Sequence, residues 1–192
     1  MAKLGFQKGP VEVFNTEDQP LYTTNVSTLE TPTVVIPIEG LAAKDGVFYA
    51  LTTDSISVVA NGFLTLQLTN PAGSGTQLFI SRISGGASVN TSIAVLRNAT
   101  FPQAGTSLIP RNTNFTLPDN SIATAKFISQ VTDPTVGGVN LNTVVQPSGL
   151  FIIEYQGRII LNPNTTMVVR MTNRTNQTNL LSLNMSFWQD PL

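Results

Sequence analysis

From about Ala43 onward the chain repeats one pattern: short apolar and polar alternations rich in β-branched and aromatic residues, separated by Gly, Pro and Asn clusters. Phe63 to Thr69 is the plainest case. Leu64, Leu66 and Leu68 fall on one face and Thr65, Gln67 and Thr69 on the other, which predicts a half-buried strand. The same reading predicts strands at Val47 to Leu51, Ser55 to Val59, Gln77 to Ile83, Ser92 to Arg97, Ala123 to Val131 and Leu150 to Tyr155. Arg158 to Leu161, Met167 to Thr172 and Leu180 to Trp188 complete the set. Turns are predicted at Asn70 to Gly75, Ser84-Gly85-Gly86, Asp133-Pro134, Gly137-Gly138, Gln156-Gly157 and Asn162-Pro163-Asn164. Helix signals are nearly absent, with a single turn expected near Asp119 to Ala123.

Many short strands at irregular spacing suit two packed sheets with Greek-key crossings better than an even meander. The predicted fold is an all-β jelly-roll or β-sandwich of about nine or ten antiparallel strands with an extended N-terminal arm. Residues 1–42 form the arm or connector, and residues 43–192 the sandwich domain. The arm stands apart through Pro10, Pro20, Pro32 and Pro37 and its share of Thr, Glu and Asn. Two apolar stretches in it, Val11 to Phe14 and Thr33 to Ile38, are each suited to adding a strand to an exposed sheet edge.

Composition then narrows the function. The 192 residues contain neither His nor Cys. That removes the commonest general base, the commonest metal ligand and the low-pKa thiol nucleophile, together with disulfides. No G-x-x-x-x-G-K phosphate loop and no EF-hand run occurs. The remaining route to catalysis is a carboxylate pair, as in a glycosidase. The acids available between residues 82 and 174, Asp119, Asp133 and Glu154, sit in turn, cap or strand contexts, Glu154 pointing outward or pairing with an arginine. The expectation is a non-enzyme without cofactors or metals. Aromatic residues are few, with one Trp and three Tyr, so a sugar-stacking platform has thin support, and a glycan or cell-surface ligand stays open. The Asn-x-Ser/Thr triplets that begin at Asn25, Asn90, Asn98, Asn114, Asn164, Asn173, Asn176 and Asn184 follow from a composition rich in Asn and Thr.

Charge is sparse, at 11% of residues, and the net charge is -1. Nucleic acid and membrane are therefore not expected as partners. The start of the chain has no apolar stretch of signal-peptide length, so a surface location, on a spore or a virion, is expected to be reached without a signal peptide. The charges are unevenly placed. Residues 1 to 54 carry Glu12, Glu17, Asp18, Glu30, Glu39, Asp45 and Asp54 against Lys3, Lys8 and Lys44. From 82 to 174, Arg82, Arg97, Arg111, Lys126, Arg158, Arg170 and Arg174 face Asp119, Asp133 and Glu154. An acidic arm and a basic body are suited to pairing between copies through arginine forks. The candidate assembly residues are therefore Val11, Val13, Phe14, Val34, Val35 and Ile36 in the arm, and Arg82, Arg97, Arg158 and Arg170 in the body.

A string of local features carries a resemblance: Leu68-Thr69-Asn70-Pro71, Leu78 to Gly86, Val95-Leu96-Arg97-Asn98, Thr132-Asp133-Pro134, Val145 to Gly149, Tyr155-Gln156-Gly157-Arg158 and Ser186-Phe187-Trp188. Over roughly Phe48 to Trp188 the chain resembles an uncharacterised family of small β-sandwich proteins of spore-forming Bacillus-type bacteria. In architecture it is similar to endospore appendage pilins, whose N-terminal connector reaches into a neighbouring subunit. It departs from them in lacking the cysteines that cross-link those pilins. The resemblance implies a structural subunit of a filament or sheath whose partners are copies of itself. The alternative is a trimeric jelly-roll receptor-binding head on a phage or spore surface.

Overall fold

The computed structural model of the chain describes residues 37–192. The candidate arm residues Val11, Val13, Phe14, Val34, Val35 and Ile36 lie outside the described residues. The elements are helix α1 (Ile38–Lys44) and strands β1 (Phe48–Thr52), β2 (Ile56–Val58), β3 (Phe63–Asn70), β4 (Thr76–Ala87), β5 (Thr91–Arg97) and β6 (Thr106–Leu108). They continue with β7 (Arg111–Asn112), β8 (Thr124–Gln130), β9 (Val139–Gln146), β10 (Gly149–Leu161), β11 (Thr165–Asn173) and β12 (Asn179–Pro191).

The strands pair first with last and then inward: β1 with β12, β3 with β11, β4 with β10 and β5 with β9, all antiparallel. Such nesting is that of one long hairpin. Rolling the hairpin adds the pairs β4 with β12 and β5 with β11, which divides it into two sheets. One sheet runs β10-β4-β12-β1-β7, with β2 also paired to β12, and the other runs β6-β8-β3-β11-β5-β9. This is the predicted jelly-roll sandwich, with twelve strands in place of nine or ten. The core between the sheets takes the inward set of each strand. Leu64, Leu66 and Leu68 of β3 and Met167, Val169 and Met171 of β11 meet Ile80 and Ile83 of β4 and Leu183, Met185 and Phe187 of β12.

The structure corrects several expectations. Strand β3 is buried on both faces, with Thr65 as inaccessible as the leucines and Gln67 nearly so. The cause is the long excursion between β5 and β9, which crosses the outer face of its sheet. Phe101 packs there beneath the Lys126 ammonium, its N–H donates to Gln67 Oε1 at 3.0 Å, and Ala94, Leu96, Ala99 and Val168 form a second small core. Gly85-Gly86 is not a turn. Both lie within β4, where a Cβ on Gly85 would stand 2.1 Å from the Ser182 carbonyl oxygen and 2.8 Å from the Phe151 ring. Glycine is there for close packing. Gln156-Gly157 does not separate two strands. It is a bulge inside β10, where the register with β4 shifts between Glu154 and Ile159 and the φ angles are 51° and 79°. A Cβ on Gly157 would lie 2.3 Å from Trp188 Cη2.

No helical turn forms at Asp119 to Ala123. The Asp119 carboxylate instead accepts from the Asn112 N–H, and the Ser121 hydroxyl and the Ile122 N–H donate to Gln189 Oε1. Lateral ties replace helical ones. The described helix is α1, framed by Pro37 before it, Glu39 in its first turn and Lys44 in its last. Asn-rich turns are pinned rather than loose. Asn173 and Asn179, both fully buried, bracket the loop between β11 and β12. Asn173 Nδ2 donates to the Val59 and Gln177 carbonyls, and Asn179 Oδ1 accepts from the Ser88 N–H and hydroxyl and from the Val89 N–H. A glycan on Asn173 would have to displace these bonds.

Candidate assembly surface

Register places three rows of side chains across the outer face of the first sheet. Phe48, Trp188, Phe79 and Ile160 form one. Trp188 stacks on Phe79 at 5.3 Å and on Phe48 at 6.4 Å, and the Gly157 bulge lies against it, so it is buried although it points away from the main core. The second row is Ala50, Ser186, Arg82 and Glu154, and the third Thr52, Asn184, Ser84 and Ile152. Above the second and third rows lies a groove of about 710 Å³, walled by Ile109 and Arg111. Its floor is hydroxyl and amide, and its charges are Asp54 and the two arginines.

The three acids between residues 82 and 174 are each tied to an arginine. Glu154 Oε1 lies 2.7 Å from Arg82 Nε, Asp119 Oδ2 lies 2.6 Å from Arg111 Nη1, and Asp133 pairs with Arg170. The outward, arginine-paired Glu154 is as the alternation predicted. The Asp133 carboxylate also accepts from the Thr135 N–H, the turn expected before Pro134. The Arg111 guanidinium, and then the Asn112 N–H, hold the Asp119 carboxyl below its ordinary value of 3.8. Burial, and secondarily the charge of Asp119, pushes the Tyr49 phenol above its ordinary value of 10.0.

The four candidate arginines fall into two places. Arg82 on β4 and Arg158 on the β10 bulge meet around Glu154, with Arg158 donating to the Tyr155 and Glu154 carbonyls. Arg97 and Arg170 belong to the other sheet, on β5 and β11. Arg170 is drawn to Asp133 and over the Phe63 ring, while Arg97 is exposed and, among the described residues, makes no ion pair.

What the sequence reading missed is the edge formed by β9 and β10. These are the terminal strands of the two sheets and are joined only by Pro147 and Ser148, so both sheets end on the same side of the sandwich. Six of their outward positions are apolar, Val139, Leu141 and Val145 on β9 and Leu150, Ile152 and Ile160 on β10, and share that face with Thr143, Glu154 and Arg158. Val145 is 79% exposed and Leu150 68%. On the opposite side, β7 covers β1, and β8 and β6 extend the second sheet beyond β3. A signal for β9 was present. Val-Asn-Leu-Asn-Thr-Val-Val-Gln alternates between Gly137-Gly138 and Pro147, but asparagine, poor in strands, disguises its polar face.

Among the described residues there is no cluster of three or more acidic, His or Cys side chains able to hold a metal. No helix among them is long and apolar enough to cross a membrane. A comparison with curated proteins finds no match. A family model matches residues 21–192, and the chain belongs to that family, DUF6143, a family of unknown function.

Proposed function

We propose that this protein is a structural, non-enzymatic subunit that assembles with copies of itself into an extracellular or spore-surface filament or sheath. The observation that carries the reading is the β9–β10 edge. A native β-sandwich blunts its terminal strands with charge, proline or a covering segment, because an open edge recruits further strands. Here, among the described residues, the edge strands are eight and thirteen residues long with one side unpaired; β10 carries Glu154, Arg158 and a bulge in its second half, but Val139, Leu141 and Val145 on β9 and Leu150 and Ile152 at the start of β10 stand exposed. Such an edge supplies both directional hydrogen bonds and apolar burial to a neighbour. The low charge of the chain limits repulsion between copies.

In this reading the segment up to residue 42 acts as the connector, with Val11 to Phe14 or Thr33 to Ile38 adding to a neighbour's β9 or β10. Its carboxylates would meet Arg82 and Arg158 beside that edge. The origin in spore-forming bacteria and the likeness in architecture to endospore appendage pilins, without their cysteines, belong to the same proposal. Electron microscopy of the purified full chain tests it. Filaments or sheets are expected, and they should be lost in Ile152→Lys while the circular dichroism melt is retained. A chain that stays monomeric at high concentration sinks the reading.

The groove above Thr52, Asn184 and Ser84 favours a second reading, a trimeric binding head on a phage or spore surface. Hydroxyl and amide groups flanked by guanidinium suit a polar ligand such as a glycan. Light scattering separates the two: a closed trimer at all concentrations supports the head, and open growth supports the filament.

A further inference from the structure

The self-assembly reading leaves open how one copy meets the next, and two features at opposite ends of the first sheet bear on it. The first is a knob. Phe115 follows β7 by three residues and is 97% exposed. Its loop is fixed. The Thr113 N–H and hydroxyl both donate to the Phe48 carbonyl, Asn114 Nδ2 donates to the Lys44 carbonyl, and the Thr116 hydroxyl donates to Asn114 Oδ1. A rigid loop whose bare phenyl ring packs on nothing among the described residues is already organised to bind.

The second is a hole. Between β9, β10 and β11 lies a pocket of about 250 Å³ with an apolar wall of Leu141, Ile159, Ile160, Leu161 and Met167 and a polar one of Arg97, Asn98, Asn162, Thr165 and Thr166. A cavity of about 150 Å³ takes a benzene ring, so the volume admits one phenyl group lying against the apolar wall. Charge agrees with size. Arg97 at the pocket is exposed and, among the described residues, in no ion pair, and neither is the exposed Asp45, which adjoins the Lys44 carbonyl to which the Phe115 loop is bonded.

We infer that Phe115 of one copy inserts into the Leu141–Ile160 pocket of the next, making a head-to-tail contact. This rests on the self-assembly reading and deepens it. Because β7 and β10 stand at the two ends of the strand order β10-β4-β12-β1-β7, a copy that offers its knob keeps its pocket free for another. Such a contact is heterologous and grows into an open chain unless the rotation closes a ring. One phenylalanine buries only about 150–250 Å². A stable interface needs roughly 1,200 Å² or more. The contact therefore spreads to apolar neighbours, Leu117 beside the knob and Val139 beside the pocket, and assembly depends steeply on concentration.

The test uses the full chain with Phe115→Asp, Leu141→Arg and Phe115→Leu, followed by sedimentation velocity across a concentration series. Both altered positions are exposed, and unchanged melts check the fold. Each of the first two variants should weaken association roughly tenfold to hundredfold, and Phe115→Leu should restore most of it. The decisive sample is an equal mixture of Phe115→Asp and Leu141→Arg. Each pair has one intact knob and one intact pocket, so dimers form and growth stops there. If the wild-type chain associates and Phe115→Asp associates equally well, or if the mixture gives no dimers, the knob-in-pocket contact is wrong while self-assembly stands. If the wild-type chain never associates, the assembly reading itself falls.

Discussion

The middle of the second sheet and the β9–β10 edge are built from the same alternating residue types, yet they end in opposite environments. In β3, β5 and β11 nearly every position is buried, because the inward leucines, valines and methionines meet the other sheet and the outward set is roofed by the excursion that carries Phe101. Among the described residues nothing roofs the outward set of β9 and β10, and valine, leucine and isoleucine stand exposed there. Alternation sorts side chains between two faces of a strand. Whether the second face is wet is decided by what crosses it.

Substitutions at matched positions probe that difference. The largest effect is expected in the doubly covered centre. Leu66→Ala removes a fully buried side chain and should cost about 2–5 kcal/mol in urea unfolding. A loss below about 1 kcal/mol would mean the centre is less tightly packed than its burial implies.

Next come the pinned loops. Asn179→Ala leaves the Val89 N–H without its partner and strips one bond each from the Ser88 N–H, which keeps the Leu180 carbonyl, and the Val89 carbonyl, which keeps the Thr91 hydroxyl. It should cost about 1–3 kcal/mol by the same measurement. Asn164, in a turn at a φ of 63°, offers a comparison in which the side chain makes no such bonds.

At the open edge the same chemistry should have nearly no effect on folding. Ile152→Lys is expected to stay within about 0.5 kcal/mol of the parent. Its consequence should appear in association instead. A large fall in stability would indicate that the outward face of β10 is packed within the chain.

The smallest effect concerns pH at the β7 side. The Asp119 carboxyl is held below its ordinary value of 3.8 by Arg111 and the Asn112 N–H. A group whose pKa falls on folding stabilises the fold above its unfolded value, and that contribution disappears as pH drops through the folded value. Thermal melts of wild type and Asp119→Asn should therefore run in parallel at neutral pH. They should converge only below about pH 4, as the wild type loses its extra stability. Parallel curves throughout would show that the ion pair is spent on solvent.

Much of the fold was legible in the residues. The alternation of Leu64, Leu66 and Leu68 and the Asn70 to Gly75 turn are local physics, and the structure keeps them. That Glu154 points outward or pairs with an arginine was legible too, since it alternates with Ile153 and Tyr155 on a strand; that the arginine is Arg82 was not. Less legible was anything that depends on a distant neighbour. Gly85 looked like a turn because glycine permits turns, but its reason is Phe151 lying across it. Gln156-Gly157 looked like a break, but the bulge lets β10 continue against Trp188.

The candidate site was hardly legible at all. Its arginines stood out as rare charges in a neutral chain, whereas Val145, Ile152 and Phe115 resembled ordinary core residues. The sequence by itself determined strands, their inward faces and the absence of His and Cys chemistry, because these depend on side-chain type and a period of two. Only the tertiary structure decided which strands end the sheets, which outer face is covered and which apolar residues are left in water. Those outcomes depend on pairing between segments dozens of residues apart, such as β4 with β10 and β5 with β9. No local period encodes them.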